Sequence, residues 1–168
     1  MSAGGTGIPA CVLSLDRLAT LLETAPRRLV DLSDEEVSRR PGGTGIPACV
    51  LSPPYRWSKK EILGHLIDSA ANNHQRIVRV QIAPPLEFPN YQQESWVAVQ
   101  SYATESWPDL VNLWLLLNRH LLHVIRAVPE SSLSYPCAIG GKDPIPLSEV
   151  IDGYVDHLEH HLESLITP

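Results

Sequence analysis

Three histidines crowd the segment Asp156-His157-Leu158-Glu159-His160-His161-Leu162, and neutral imidazole is the commonest protein ligand for a transition-metal ion. In a helix turning about 100° per residue, His157 and His161 fall roughly 40° apart on one face while His160 points aside. The pair shares its face with Val150, Tyr154 and Leu165, so it borders a buried stripe; His160 shares a sector with Glu149 and Glu163. An i, i+4 pair held there offers two ring nitrogens at a bite suited to one divalent ion. A third ligand must come from elsewhere. The plainer alternative is a pair of ordinary boundary residues.

The helix that could supply the rest of a site opens at Trp57-Ser58-Lys59-Lys60-Glu61. Ser58 can accept from the amide of Glu61 while the Glu61 side chain returns the bond, a capping box. The helix is predicted to run to about Gln81, before Pro84-Pro85. Leu63, Leu66, Ile67, Ala70 and Ile77 give it an apolar face, and His65, Ser69, Asn72 and Arg76 follow beside that face at spacings of four, three and four. A helix that only shielded a core would scatter Lys and Glu along such a ribbon. Asp68 can orient an imidazole as an acceptor, or lie at the surface near Lys60 or Asn72. Arg76 can grip a substrate carboxylate with its planar fork, although pairing with an acidic neighbour is the favoured reading. Asn72 and Asn73 line a pocket or satisfy each other.

Three further helices complete the set. The first spans Leu15 to Leu32 with Ser14 as N-cap, and Pro26 is expected to kink or divide it. Ser33-Asp34-Glu35-Glu36 offers a second capping box for a short turn ending at Arg40-Pro41. The connection from Pro84 to Glu105 holds a short helix around Gln92 to Tyr102, with Trp96 and Tyr91 placed to roof a cavity or close a core. It is long enough to let the flanking helices run parallel. The third long helix starts at Ser106, with Pro108 in its first turn, and ends at Val128; its expected core face is Leu113, Leu116, Leu117, Leu121 and Val124. That face puts His120 in its middle as a hydrogen-bonded core residue and His123 at its edge; His74, in the apolar sector of the helix before, receives the same structural reading. After a second connection at residues 129–147, the last helix runs from Ser148 to Ile166. On it Tyr154 either packs, the favoured reading, or donates to a metal-bound oxyanion.

The balance of charge narrows the partners. A net charge of -6 without a dense Lys/Arg run argues against a surface that tracks nucleic-acid phosphates. No apolar run reaches the roughly 20 residues a membrane span requires, and no secretory leader precedes the first helix, so a cytoplasmic setting is expected. Cys11, Cys49 and Cys137 have no CxxC spacing and are expected to be free thiols. The segment GGTGIPACVLS occurs twice, at residues 4–14 and 42–52. Two short copies around an unrelated helix do not make a solenoid. The reading adopted is a DNA-level duplication tolerated in an extension at residues 1–13 and in a loop inserted at about 42–54 of a single domain spanning 14–168. A phosphate cradle at Gly42, Gly43 and Gly45 is disfavoured because no GK[ST] follows.

Taken together, WSKKEILGHLIDSAANNHQRIVR and DHLEHHL resemble the DinB-like superfamily, the group that includes bacillithiol S-transferase-type proteins, and the similarity runs from Leu15 to Ile166 outside residues 42–54. The resemblance implies an all-α four-helix bundle with an up-down-down-up path, a long crossover between helices two and three, and a three-histidine metal site. Carried over by position, the ligands are His65, His157 and His161; Asp68, Ser69, Asn72, Arg76, Tyr154 and Trp96 are candidates for supporting or pocket roles. The implied cofactor is a divalent metal ion, zinc first, with nickel, manganese or iron as alternatives, and a low-molecular-weight thiol as cosubstrate. The implied activity is transfer of that thiol to a small electrophile. Hydrolysis by a metal-bound water, and a non-enzymatic bundle that binds a ligand or partner, are the competing readings. A small-molecule substrate is expected, with no nucleic acid and no membrane, and a homodimer is left open.

Overall fold

The structure, a computed structural model, describes residues 10–40 and 57–166. Most of the duplicated segment, the expected inserted loop and the disfavoured glycine cradle lie outside the described residues. Along the chain come α1 (Ala10–Val30), α2 (Asp34–Ser38), α3 (Lys59–Ile82), β1 (Leu86–Phe88), α4 (Gln93–Gln100), α5 (Trp107–Arg126), β2 (Pro136–Ile139), β3 (Ile145–Pro146) and α6 (Leu147–Ile166).

Four long helices form the bundle, with α1 and α3 on one diagonal and α5 and α6 on the other. Side-chain bonds set their directions. Ser14 of α1 donates to Asp152 of α6 at 2.6 Å, and Arg28 reaches the carbonyl of Ile166 at the other end, so α1 and α6 run parallel. Trp107 Nε1, at the start of α5, donates at 2.8 Å to Leu29 O, near the end of α1, which makes that pair antiparallel. Lys59 Nζ, at the start of α3, donates at 2.7 Å to Leu165 O, near the end of α6, so α3 and α6 are antiparallel too. The path is therefore up-down-down-up, as the resemblance implied.

Both capping boxes form: Ser33 with Glu36, and Ser58 with Glu61. The start of α3 is fixed further by Arg40, whose guanidinium bonds the Glu61 carboxylate, and by Lys60, whose ammonium meets Asp34 at 3.0 Å. A rigid entry matters because His65 lies in the second turn of α3.

Three expectations are corrected. Helix α1 opens at Ala10, inside the first copy of the duplicated segment, so Ser14 is a buried helical residue bonded to α6 and not a cap. Of the two effects expected of Pro26, division does not occur: it lies within α1, because a proline removes one donor but neighbouring helices still hold the rest of the face. The core face of α5 is Leu110, Val111, Trp114, Asn118, Leu121, Leu122 and Ile125; Leu113 and Leu116 are 46% and 64% exposed. Leucines occur almost all around this helix, and fully buried Trp114, the larger apolar residue, decides which side faces in. His120 and His123 are accordingly exposed, and His74 is half-buried.

The strands were not foreseen. β1 from the first connection pairs in parallel with β2 from the second, and β2 pairs antiparallel with β3. Each run is too short for a period-two pattern to be visible in sequence. The small sheet ties both connections to one side of the bundle and carries Phe88, Cys137 and Ile139 there. Among the described residues no helix is long and apolar enough to cross a membrane.

Candidate metal centre

Three imidazoles converge from the two antiparallel helices α3 and α6. One ring nitrogen from each of His65, His157 and His161 lies within 4.8 Å of the others. His65 Nε2 and His157 Nε2 are 3.0 Å apart, and the ring centroids of the three pairs are separated by 4.6 to 5.2 Å. A tetrahedral ion with metal–nitrogen bonds of about 2.0–2.1 Å needs nitrogens about 3.3 Å apart, a value inside the observed span. His160, the third histidine of the α6 cluster, is exposed and outside the converging group, its ring 5.4 Å from that of His161.

Burial sets the protonation state. His65 is 1% exposed, and burial, reinforced by His157 and His161, brings its pKa down to about 3. Burial likewise brings His161 down to about 4, with His157 and His160 adding to the effect, and lowers His157, aided by His160. Near neutral pH all three rings therefore keep a lone pair, the form a metal requires. Trp57 covers His65 at a centroid distance of 5.2 Å, a wall that the sequence analysis did not assign. A bulky residue just ahead of a capping box was the available signal.

The polar ribbon of α3 divides by function. Asp68 is buried; its Oδ1 accepts from Gln100 Nε2 at 2.6 Å and from the Tyr102 hydroxyl at 2.8 Å, while its Oδ2 and His65 Nδ1 are both buried without a hydrogen-bond partner among the described residues. Of the two readings left open for Asp68, the surface carboxylate is excluded by its burial, and its hydrogen bonds form a link between α3 and the crossover in place of one to an imidazole. Burial raises the Asp68 pKa while its bonds to Gln100 and Tyr102 oppose the rise. Gly64 makes this link fit: a Cβ there would lie 2.1 Å from the Tyr102 ring. Asn72 donates to Asp68 O at 2.8 Å, and Asn73 donates to Ser69 O at 2.9 Å, so the two asparagines serve the helix backbone and not each other.

Ser69 stands beside one of the metal-ligand candidates, with Oγ 3.5 Å from His157 Nδ1. A cavity of about 340 Å³ opens beside it, walled in part by Ser69, Asn73, Arg76, Tyr91, Tyr154 and His157. Burial, with Asp68 next, pushes the Tyr91 hydroxyl up to about 12, and its contact with Ser69 opposes this. Tyr154 bonds the Asn118 side chain of α5, which makes it a buried strut as well as a wall. Trp96 is 41% exposed and lines a separate cleft with Asn72 and Phe88, so it does not roof the histidine cavity. Arg76 meets no acid among the described residues, contrary to the favoured reading; Nη1 donates to Asn73 Oδ1 at 3.2 Å and the guanidinium lies 5.4 Å from the centre of the Phe88 ring.

The bundle is similar to YfiT from Bacillus subtilis, described as a probable metal-dependent hydrolase with an unusual four-helix bundle topology; the TM-score is 0.72 at 16% identity, over 99% of this chain and 89% of that one. It is also similar to a mycothiol-dependent maleylpyruvate isomerase, with a TM-score of 0.68 at 14% identity over 92% of this chain, which spans 60% of the isomerase. At such identities the likeness is one of fold. No functionally curated protein matches the chain in sequence. The DinB superfamily profile matches residues 17–165, which reach from within the first bundle helix to within one residue of the end of the last and include the three converging histidines, and the chain belongs to that superfamily.

Proposed function

We propose that His65, His157 and His161 hold a divalent metal ion and that the protein transfers a low-molecular-weight thiol to a small electrophile in the adjoining cavity. The observation that carries the reading is the convergence of three neutral imidazoles, two buried and His157 half-buried, with their nitrogens within 4.8 Å of one another. Three protein ligands leave positions open to exchangeable groups, unlike the closed four-ligand sites that only support a fold. When bound, the ion supplies a Lewis acid that lowers the pKa of a thiol or water near it. The protein's own residues do the rest. Burial and Trp57 keep water from His65, Ser69 stands at the cavity-facing edge of His157, and Tyr91 and Tyr154 shape the space for the acceptor. In the reaction the thiol loses its proton to solvent, sulfur bonds to the electrophilic carbon, and the displaced group leaves with its electron pair.

Hydrolysis is the second reading, favoured by the fold shared with YfiT, itself described as a probable hydrolase. It calls for a general base near the ions' open side. Asp68 does not line the cavity, and the only carboxylate that does among the described residues is Glu149, which lies two turns before His157 on α6. Cobalt-substituted protein titrated with a small thiol decides between them. A thiolate-to-cobalt charge-transfer band that saturates supports thiol transfer; no band, together with turnover of an activated ester, supports hydrolysis.

A further inference from the structure

Arg76 is an arginine without its usual counter-ion. It is 9% exposed, and among the described residues no carboxylate lies within ion-pair reach. Among the described residues its one hydrogen bond runs from Nη1 to the neutral Asn73 amide oxygen at 3.2 Å, and Phe88 covers the guanidinium at 5.4 Å. Nε is buried with no acceptor. The occupied donor lies on one side of the fork, so among the described residues the Nε–Nη2 edge has no acceptor although Nε is covered, and two parallel N–H donors on one edge match the two oxygens of a carboxylate. A guanidinium stays protonated in proteins, so burial does not remove the charge that needs an acceptor. Arg76 also lines the cavity that reaches His157.

We propose that the acceptor substrate carries a carboxylate, seated on the free Nε–Nη2 edge of Arg76 so that the rest of the molecule extends through the cavity toward His157. This rests on the function proposed above for the reacting end; the anion seat itself stands on Arg76 alone. Arg76 and Ser69 are seven residues apart on α3, on the order of 10 Å along the helix axis, so one small molecule of a few carbons spans the distance. Asn73 is the positioning residue: its side chain donates to Ser69 O and accepts from Arg76, coupling the seat to the wall beside His157. Lys142 and Glu149 also line the cavity, one charge of each sign, so the positive charge that Arg76 brings to it is not cancelled.

The probe is benzoate, titrated at matched chloride into isotope-labelled protein, metal-loaded and after chelation, while the assigned Arg76 Nε–H resonance is followed by NMR. A saturable downfield movement in both forms is expected, with benzoate affinity measured by calorimetry at least about tenfold weaker in Arg76→Gln. No saturable movement, equal affinity in Arg76→Gln, or a response to inorganic phosphate but not to benzoate overturns the proposal. Should the variant fail to fold, the wild-type titration decides by itself. Benzoate binding in a protein that takes up no metal retains the seat and removes the metal reading; metal uptake without benzoate binding does the opposite.

Discussion

Two trios of histidines sit on one bundle and share helix α3, yet only one has the geometry of a site. His65, His157 and His161 bridge α3 and α6, and His74, His120 and His123 bridge α3 and α5. Ring spacing hardly distinguishes them, since His65 and His161 are 5.2 Å apart and so are His74 and His120. Burial and aim do. In the first trio the nitrogens converge, and among the described residues no other group of three metal-binding side chains meets that standard. In the second, His120 and His123 are exposed, with rings inclined by only 26° and centroids 6.3 Å apart. A solvent-facing imidazole gives its lone pair to water, while a buried one has no such outlet. The contrast teaches that helical spacing nominates ligands but packing against a second helix selects them.

The sharpest way to break that contrast is His157→Ala. Removing a residue that merely supports a ligand costs about 10–100-fold in metal affinity, so losing one of three ligands is expected to cost at least about 100-fold. Competition with a chromophoric chelator and elemental analysis measure this; full metal content in the variant would show the first trio to be no different from the second. Next in size is the acid sensitivity of the metal-free protein. The folded-state pKa of His65 is about 3 against an ordinary 6.5, so on acidification the unfolded chain takes up the proton first. Stability is full above about pH 6.5 and falls toward about pH 3 by about 1.4 kcal/mol per unit for this group. His161 and His157 act with the same sign. Urea unfolding from about pH 7 down to about pH 4.5 is expected to show a decline of at least about 2–3 kcal/mol that is distinctly shallower in His65→Leu.

A smaller effect tests how firmly α3 is held. In Gly64→Ala the new methyl meets the Tyr102 ring, whose hydroxyl is tied to Asp68 and cannot simply swing aside. Overpacking of this kind costs about 1–3 kcal/mol. Denaturant unfolding should register it, accompanied by weaker metal binding, because His65 is the next residue along. A neutral outcome would mean that the Tyr102 contact does not position the first trio.

Much of this arrangement was legible in the sequence because it rests on local rules. Capping boxes at Ser33 and Ser58 marked two helix starts within a residue, and an i, i+4 spacing separated His157 and His161 from His160. What escaped depends on long-range competition. On α5 leucines line nearly every side, so periodicity could not tell that Trp114 would take the interior and leave Leu116 and His120 in water. Asp68 stood one turn from His65, an apt distance for an orienting acceptor, but Tyr102 and Gln100 arrive from a crossover whose fold no periodicity announces. The sheet joining that crossover to the second connection consists of runs of two to four residues. Arg76 shows the same limit from the other side, since the lack of an acidic neighbour is a property of the packed molecule and not of any window of sequence.

The smallest predicted effect completes the contrast. His120→Ala, alone or with His123→Ala, is expected to leave metal stoichiometry unchanged and to alter stability by no more than about 0.5 kcal/mol, the usual range for exposed positions away from special features. Alanine is also the better helix former by up to about 0.7 kcal/mol, so any change should favour the folded state. His74 is the one member of that trio with appreciable burial, which lowers its pKa with His120 contributing next. Removing His120 relieves that like-charge influence and should raise the His74 pKa toward its ordinary value, a shift readable by NMR titration of the His74 ring. If instead the double variant loses an equivalent of metal that the wild type holds, exposed imidazoles on α5 do bind an ion, and burial is not what separates the two trios.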